Sequence, residues 1–180
     1  MKVTPTAIED VLLLEPHIYE DDRGLFYESF NQRVFFEKTG LDVSFVQENH
    51  SHSRKGVLRG MHFQSDHPQG KLVRVLRGAI SDVAVDLRRS SSTFGRWVGI
   101  ELNASSNCSL WIPPGFAHGF QVTSEGADVL YKTTDYYFPA DECCLAWNDP
   151  DLSIAWPDLD PVLSAKDKNG RRLVDLQGYS

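Results

Sequence analysis

Short segments in which apolar and polar residues alternate dominate the pattern along the chain. In SDVAVDLR, Val83, Val85 and Leu87 occupy every second position, which is the spacing of a strand with one buried face. The segments LVRVLRG, WVGIEL, CSLWIPP and ADVLYKTT continue the pattern, and Gly, Asn or Ser residues separate them. The pattern therefore predicts a mainly β chain of short, mostly antiparallel strands.

One helix, and one segment that is either a short helix or a turn, are predicted beside these strands. In NQRVFFEKTG, Asn31 is suited to cap the first turn and Gly40 to end the last one. Near the C-terminus, Ser164 to Lys168 in LSAKDKNG favours a short helix or a turn. Eight large aromatic residues are expected in the core or at an interface: Trp97, Trp111, Trp147, Trp156, Phe26, Phe30, Phe35 and Phe36.

Length and composition predict one folded domain. The chain has 180 residues, of which 41% are apolar and 24% charged, and this composition is typical of globular proteins. Neither a linker nor a repeat interrupts the sequence, so residues 1–180 are expected to form a single domain. The three cysteines, with Cys143 and Cys144 adjacent, give no legible disulfide framework. They favour a reducing compartment, which we expect to be the cytoplasm.

The net charge of the chain limits the classes of partner that it is expected to bind. The formal net charge is −7 at pH 7, which argues against nucleic acid and anionic membranes as partners. No stretch of the sequence approaches the roughly 18 apolar residues of a membrane span. An anionic small molecule would therefore need a local cluster of basic side chains.

A mostly antiparallel chain of this size must protect its sheet edges. It can do so as a closed barrel or as a jelly roll of two sheets, and we expect the jelly roll. Small barrels of this kind hold ligands inside, so polar side chains that point inward from strands should mark the functional site.

Two segments resemble the motifs of the cupin superfamily. The segment from Gly56 to Gly78 has the spacing of the first motif, and PPGFAHGF matches the Pro-x-Gly-x-x-His of the second. The four positions that bind metal in metal-dependent cupins hold His62, Gln64, Lys71 and His118. An ammonium group repels a divalent cation, and glutamine is a poor substitute for imidazole. The motifs thus predict a barrel in which these positions hold no metal.

Seven segments together resemble one cupin family over nearly the whole chain. They are DDRGLFYESF, FVQENHSHS, GVLRGMHFQ, GKLVRV, PPGFAHGF, LYKTTDYY and LSAKDKNG, and the family is that of the dTDP-4-dehydrorhamnose 3,5-epimerases. The resemblance implies a cupin-type double-stranded β-helix, or jelly roll, with short flanking helices. It also implies that the enzyme inverts carbons 3 and 5 of dTDP-4-dehydro-6-deoxy-D-glucose, without metal or other cofactor, to give dTDP-4-dehydro-L-rhamnose.

The resemblance implies four catalytic residues. His62 would be the base, and Asp167 would fix the tautomer of its imidazole, as carboxylates do in catalytic triads. Tyr131 would donate a proton on the opposite face of the sugar. Lys71 would stabilise the negative charge that develops on the keto oxygen, in place of a metal ion.

The resemblance also implies the residues that bind substrate. Tyr137 would stack on the thymine, and the cations Arg23, Arg59 and Lys166 would hold the diphosphate. The other matched positions are Glu28, Gln47, Asn49, His118 and Glu142. Because the N-terminal part crosses to a neighbouring subunit in this family, a homodimer is implied.

The position of Arg59 conflicts with simple strand periodicity. Arg59 lies three positions before His62, and side chains at that spacing on a regular strand point to opposite faces. Gly60 lies between them and permits a β-bulge, and the resemblance implies that this arginine binds substrate, so Arg59 is kept among the substrate-binding residues.

Alternatives stay open for single residues and for the whole chain. His62 and the tyrosines would be structural if hydrogen-bonded in a core, Asp167 would cap a turn, and Lys71 would protect an exposed strand edge. The His-x-His pair of His50 and His52 is interpreted as a surface or structural feature. Alternative functions are a monofunctional 3- or 5-epimerase, a metal-dependent cupin enzyme, and a cupin that only binds a sugar nucleotide.

Overall fold

Two antiparallel β-sheets form the framework of the protein, whose computed structural model describes residues 1–176. The strands are β1 Lys2–Pro5, β2 Leu12–Glu15, β3 Tyr19–Asp21, β4 Gly24–Phe26, β5 Gln47–Arg54, β6 Leu58–Gln64, β7 Lys71–Arg77, β8 Ala79–Asp86, β9 Trp97–Asn103, β10 Ser109–Ile112, β11 Phe116–Val122, β12 Gly126–Thr133 and β13 Glu142–Cys144. The helices are α1 Gln32–Thr39 and α2 Ala165–Lys168, and a 3-10 turn covers Leu173–Asp175.

The strand order is that of a jelly roll. One sheet has the order β1-β2-β10-β7-β12-β5 and the other the order β13-β6-β11-β8-β9, while β3 and β4 form a separate hairpin. The mainly β prediction is confirmed, and each apolar segment identified by its alternation lies in one of these strands. From β5 to β13 the chain passes from one sheet to the other between consecutive strands, except between β8 and β9, which pair within one sheet.

Strand β8 is buried on both faces, whereas the alternation of its residues predicted only one buried face. Val83 and Val85 belong to one hydrophobic cluster, whereas Ile80 and Ala84 belong to a second one on the other face of the strand. The segment from Leu145 to Leu176 covers the outer face of this sheet. Both faces are therefore buried, and the polar residues of β8 lie inside the protein.

Both predicted segments are helical, and α1 has the predicted caps. The side chain of Asn31 accepts hydrogen bonds from the backbone amides of Arg33 and Val34, and Gly40 adopts the left-handed conformation at φ 73°. At α2, the Ser164 side chain accepts from the Asp167 amide. No helix within residues 1–176 is both long enough and apolar enough to span a bilayer.

Two of the eight aromatic residues lie outside the core. Trp111 and Phe35 are almost fully buried, but Phe26 is 71% exposed and Phe36 is 47% exposed. Phe26 lies on the hairpin that is separate from the two main sheets. Phe36 follows the buried Phe35 by one residue, which turns its side chain about 100° around α1, away from the core. These two phenylalanines are therefore outside the core of the single chain, and their packing at an interface stays a prediction.

A buried carboxylate at the end of β8 holds the following turn. Asp86 accepts hydrogen bonds from the Arg88 guanidinium at 2.8 and 2.9 Å, from Ser91 Oγ at 2.7 Å and from Thr93 Oγ1 at 2.6 Å. Burial alone would raise the pKa of Asp86, but these bonds outweigh it and lower the pKa to about 2. The charged carboxylate is therefore the form that the fold stabilises.

Replacing Asp86 with Asn should lower the free energy of unfolding at neutral pH by about 3 kcal/mol, because it leaves a buried ion pair with one partner. The folded-state pKa lies below the ordinary value of 3.8, so this contribution is present above pH about 4 and is lost as the pH falls towards 2. Urea denaturation across this range measures it. Asp151→Asn, at a carboxylate 55% exposed, is the matched control and should change stability little. An Asp86→Asn deficit that persists undiminished at pH about 2 would contradict the assignment.

Candidate active site

A cavity of about 370 Å³ lies between the two sheets. Strands of both sheets and the segments after β6 and β12 contribute side chains to it. Ten of the thirteen residues predicted for the site line this cavity: Gln47, Asn49, Arg59, His62, Lys71, His118, Tyr131, Tyr137, Glu142 and Lys166. Ser51, Gln69 and Phe120 also line it, and sequence reasoning did not identify them.

Strand β5 supplies one wall through strict alternation. Gln47, Asn49 and Ser51 point into the cavity, and the residues between them are exposed. His50 and His52 are among these, and both contact Asp128 Oδ1, at 3.2 and 3.1 Å. The interpretation of the His-x-His pair as a surface feature is confirmed. The strand has polar residues on both faces, which is why hydrophobic periodicity did not reveal it.

His62 and Asp167 form a short hydrogen bond at the edge of the site. His62 Nε2 lies 2.6 Å from Asp167 Oδ1. Burial alone would raise the pKa of Asp167, but its hydrogen bonds with His62 and Ser164 lower it, so the group is a carboxylate. A carboxylate only accepts, so the neutral form of this imidazole carries its hydrogen on Nε2 and its lone pair on Nδ1.

Helix α2 orients Asp167 for this contact. Ser164 Oγ donates to Asp167 Oδ2 at 2.7 Å and accepts from the Asp167 backbone amide at 3.1 Å. Ser164, not Asp167, is therefore the cap of this helix, and the carboxylate is left to bind the imidazole.

A bulge at Gly60 brings Arg59 and His62 to the same side of β6. Strand β11 pairs His118 with His62 and Phe120 with Arg59, so three steps on β6 face two on β11. Gly60 has φ 128°, and a Cβ there would lie 2.5 Å from the Cα of Gly119. Both side chains consequently line the cavity, as the Gly60 bulge predicted.

Lys71 is buried at the centre of the site. It begins β7, which lies between β10 and β12, so the alternative of an exposed edge lysine is wrong. Its Nζ donates to the His62 carbonyl at 3.2 Å, crossing the space between the sheets. Burial lowers the pKa of Lys71 to about 8, although nearby Asp82 and Glu142 raise it.

A second histidine–carboxylate pair lies inside the barrel. His118 Nε2 contacts Asp82 Oδ2 at 2.8 Å, and both side chains are buried. Within the described residues, Asp82 Oδ1 has no hydrogen-bond partner. Sequence reasoning missed Asp82 because it treated only one face of β8 as buried. Its position, two residues from Ile80 and Ala84, was the available signal.

The opposite sheet contributes Tyr131, and the cavity mouth holds a polar cluster. Burial raises the pKa of Tyr131, with a smaller opposing effect from Arg59, so its phenol is neutral and can donate a proton. At the mouth, Tyr137 Oη donates to Glu142 Oε2 at 2.9 Å and Lys166 Nζ donates to Glu142 Oε1 at 2.6 Å.

The structure does not bring Arg23 and Glu28 into the cavity of the same chain. Arg23 lies in the β3–β4 turn, is 90% exposed and pairs with Asp21 at 2.6 Å. Glu28 is exposed and accepts a hydrogen bond from Asn31 Nδ2 at 2.9 Å. Their predicted role therefore requires a neighbouring subunit.

The residues at the metal-binding positions of cupins do not fit a divalent cation. Lys71 places an ammonium group there, and His118 is engaged by Asp82. The Gln64 amide donates to the carbonyls of His67 and Tyr136, and its oxygen accepts from the Phe138 amide. One of these side chains is a cation and the other two are engaged in hydrogen bonds within the protein, so together they do not form a set of metal ligands.

Cys144 lies beside His62 and Asp167. One ligand atom each from His62, Cys144 and Asp167 lie within 4.8 Å of one another. Burial, and to a smaller extent Asp167, raises the pKa of the Cys144 thiol to about 11, so it is a neutral thiol at physiological pH. The sequence gave adjacent cysteines but no reason to connect either one with His62.

Comparison with known proteins agrees with this site. The family model described as dTDP-4-dehydrorhamnose 3,5-epimerase matches residues 5–175. The chain is 57% identical to the dTDP-4-dehydrorhamnose 3,5-epimerase of Pseudomonas aeruginosa, with 99% of each chain covered. It is 55% identical to that of Escherichia coli K12, with 98% of this chain and 96% of the relative covered.

Solved structures give the same result. The Legionella pneumophila epimerase in complex with dTDP-4-keto-L-rhamnose superposes with a TM-score of 0.95 at 48% identity, covering 98% of this chain and 94% of that one. ChmJ of Streptomyces bikiniensis, described as a 3'-monoepimerase, has a TM-score of 0.89 at 36% identity, covering 97% of this chain and 88% of that one. On the family match and these identities, the chain belongs to the dTDP-4-dehydrorhamnose 3,5-epimerase family.

Proposed function

We propose that this protein inverts carbons 3 and 5 of dTDP-4-dehydro-6-deoxy-D-glucose to give dTDP-4-dehydro-L-rhamnose. The observation that carries the proposal is the arrangement of three groups around one cavity. The His62–Asp167 pair lies on one side, Tyr131 lies on the facing sheet, and the buried Lys71 ammonium reaches between them. Family membership supports the same activity.

Both reacting carbons lie next to the 4-keto group, so each inversion begins with removal of a proton. The lone pair on His62 Nδ1 takes the hydrogen from carbon, and the electrons of the C–H bond move to the keto oxygen as an enolate. The Tyr131 phenol then gives a proton to the opposite face of the carbon. The imidazolium loses its proton and the tyrosinate regains one by exchange with water, which restores both groups.

Lys71 supplies the electrostatic part of catalysis. A fixed ammonium in a site shielded from water stabilises a developing oxyanion more strongly than water does, because no solvent has to reorganise. Its hydrogen bond to the His62 carbonyl fixes its position. We propose that this residue takes the place that a metal ion occupies in other cupins, and that no cofactor takes part.

The cluster at the mouth fits a nucleoside diphosphate. Arg59 and Lys166 offer positive charge to the pyrophosphate, and Tyr137 offers an aromatic face to the thymine. We propose that Gln47, Asn49, His118 and Glu142 hold the remaining polar groups of the substrate. Arg23 and Glu28 would come from the second subunit of a homodimer, since they lie outside the cavity of their own chain. One domain, residues 1–180, would then act in the cytoplasm, where its cysteines stay reduced.

A 3-monoepimerase is the second candidate, because ChmJ shares the fold at 36% identity. Deuterium incorporation separates the two. In deuterium oxide, proton NMR of the dTDP-4-keto sugar should show exchange at carbons 3 and 5. Exchange at one carbon alone would reject the double epimerase.

His62→Asn should slow exchange about a thousandfold, because it removes the base, with little change in substrate affinity. His52→Asn, on the outer face, is the control and should behave like wild type.

Tyr131→Phe should separate proton removal from inversion. The base acts before the donor, so deuterium should still replace hydrogen at the reacting carbons while the yield of inverted sugar falls. Comparing deuterium content with product configuration by NMR measures both steps. An equal loss of exchange and inversion would contradict the role of Tyr131.

The pH dependence of kcat/KM should reveal the protonation state of Lys71. Because burial lowers the pKa of Lys71 to about 8, the ammonium is present below this pH and kcat/KM should fall as the pH rises through it. In Lys71→Arg the guanidinium stays charged, so the rate should be lower throughout but this alkaline limb should disappear. An unchanged limb in the variant would show that another group causes it.

A further inference from the structure

The neighbour of His62 across the sheet is a thiol that the proposed reaction does not use. Strand β13 pairs with β6 in a register that sets Cys144 opposite His62. Paired residues of antiparallel strands project to the same face. Cys143, the preceding residue, lies opposite Phe63 and packs against the hydrophobic cluster on the other face. The two adjacent cysteines therefore have different surroundings, and only Cys144 is near the base.

Three different ligand types meet at this point. A ring nitrogen of His62, Cys144 Sγ and a carboxylate oxygen of Asp167 all lie within 4.8 Å of one another. Tetrahedral zinc with bonds of about 2.0–2.3 Å separates its ligand atoms by about 3.3–3.8 Å. The three residues come from β6, β13 and α2, so small movements of the side chains suffice to surround an ion.

We propose that His62, Cys144 and Asp167 form an inhibitory site for a thiophilic divalent cation, Zn²⁺ or Cd²⁺. This site shares only His62 with the metal position of other cupins, whose remaining ligand positions hold Gln64, Lys71 and His118 here. Thiolate and imidazole favour zinc and cadmium, whereas magnesium and calcium prefer oxygen ligands. The inhibition, though not the binding, rests on the proposed role of His62 as the base.

Proton accounting explains why a bound cation would stop the reaction. Binding removes the thiol proton of Cys144, which passes to water, and breaks the hydrogen bond between His62 and Asp167. A neutral imidazole has one lone pair and one N–H. Once the cation takes the lone pair, the other ring nitrogen carries the hydrogen, and neither can accept a proton from carbon.

Cadmium titration of the full chain tests the site without reference to activity. Cadmium bound to a thiolate has an ultraviolet charge-transfer band, so wild type and Cys143→Ala should gain this band with the same stoichiometry. Cys144→Ser, which preserves side-chain size, and Cys144→Ala should lose it. A band that persists in both Cys144 variants, or that never forms in wild type, would overturn the proposal.

Inhibition is then measured as deuterium exchange with and without Zn²⁺, each variant being compared with itself. Zn²⁺ should abolish exchange in wild type and in Cys143→Ala, a chelator should restore it, and Mg²⁺ should have no effect. The Cys144 variants should require at least about tenfold more Zn²⁺. If the cadmium band depends on Cys144 while Zn²⁺ leaves exchange intact, the metal site stands and the role of His62 as base is wrong.

Discussion

The hydrogen bond between His62 and Asp167 is the interaction on which the rest of the site depends. It joins residues 105 positions apart, and it forms only because several local features coincide. The bulge at Gly60 turns His62 towards the cavity, and the Ser164 cap begins a four-residue helix that directs the carboxylate. The C-terminal segment that covers the outer face of the smaller sheet also carries α2 to the back of the imidazole. Packing of that segment thus positions the His62–Asp167 pair as well as covering the sheet.

Charge inside the barrel is the second constraint. A jelly roll of this size places polar side chains between two sheets, where an unpaired charge is costly. The buried groups satisfy this condition in two ways: His118 pairs with Asp82, and Lys71 donates to a carbonyl while Asp82 and Glu142 favour its charged form. With a pKa of about 8, the Lys71 ammonium is still charged at neutral pH. A buried ammonium of this kind is suited to stabilise an oxyanion that exists only during the reaction.

Part of the fold could be predicted from local pattern, because five of the thirteen strands in residues 1–176, β7 to β10 and β12, combine apolar alternation with clear turn residues. The caps of α1 were predictable for the same reason, since Asn31 and Gly40 have strong conformational preferences. Strand β5 was not predictable by periodicity, because both of its faces are polar. The exposure of Phe26 depends on what lies next to its hairpin in three dimensions, and its own sequence does not contain that information.

Some residues of the site could be predicted from the sequence and others could not. His62, Lys71 and Tyr131 could be predicted through the resemblance of their segments to one cupin family, and the structure brings them to one cavity. Asp82 and Cys144 could not, because their proximity depends on cross-strand register and on burial of both faces of a strand. Arg23 and Glu28 remain predictions that concern a second subunit.

The protonation state of the His62 ring tests the central claim most directly. ¹⁵N NMR of the protein labelled at histidine, with His62→Asn used to assign the signals, distinguishes a nitrogen that carries hydrogen from one that carries a lone pair. At neutral pH, the account predicts hydrogen on Nε2, facing Asp167, and a lone pair on Nδ1. A ring with the opposite tautomer, or with hydrogen on both nitrogens, would contradict it.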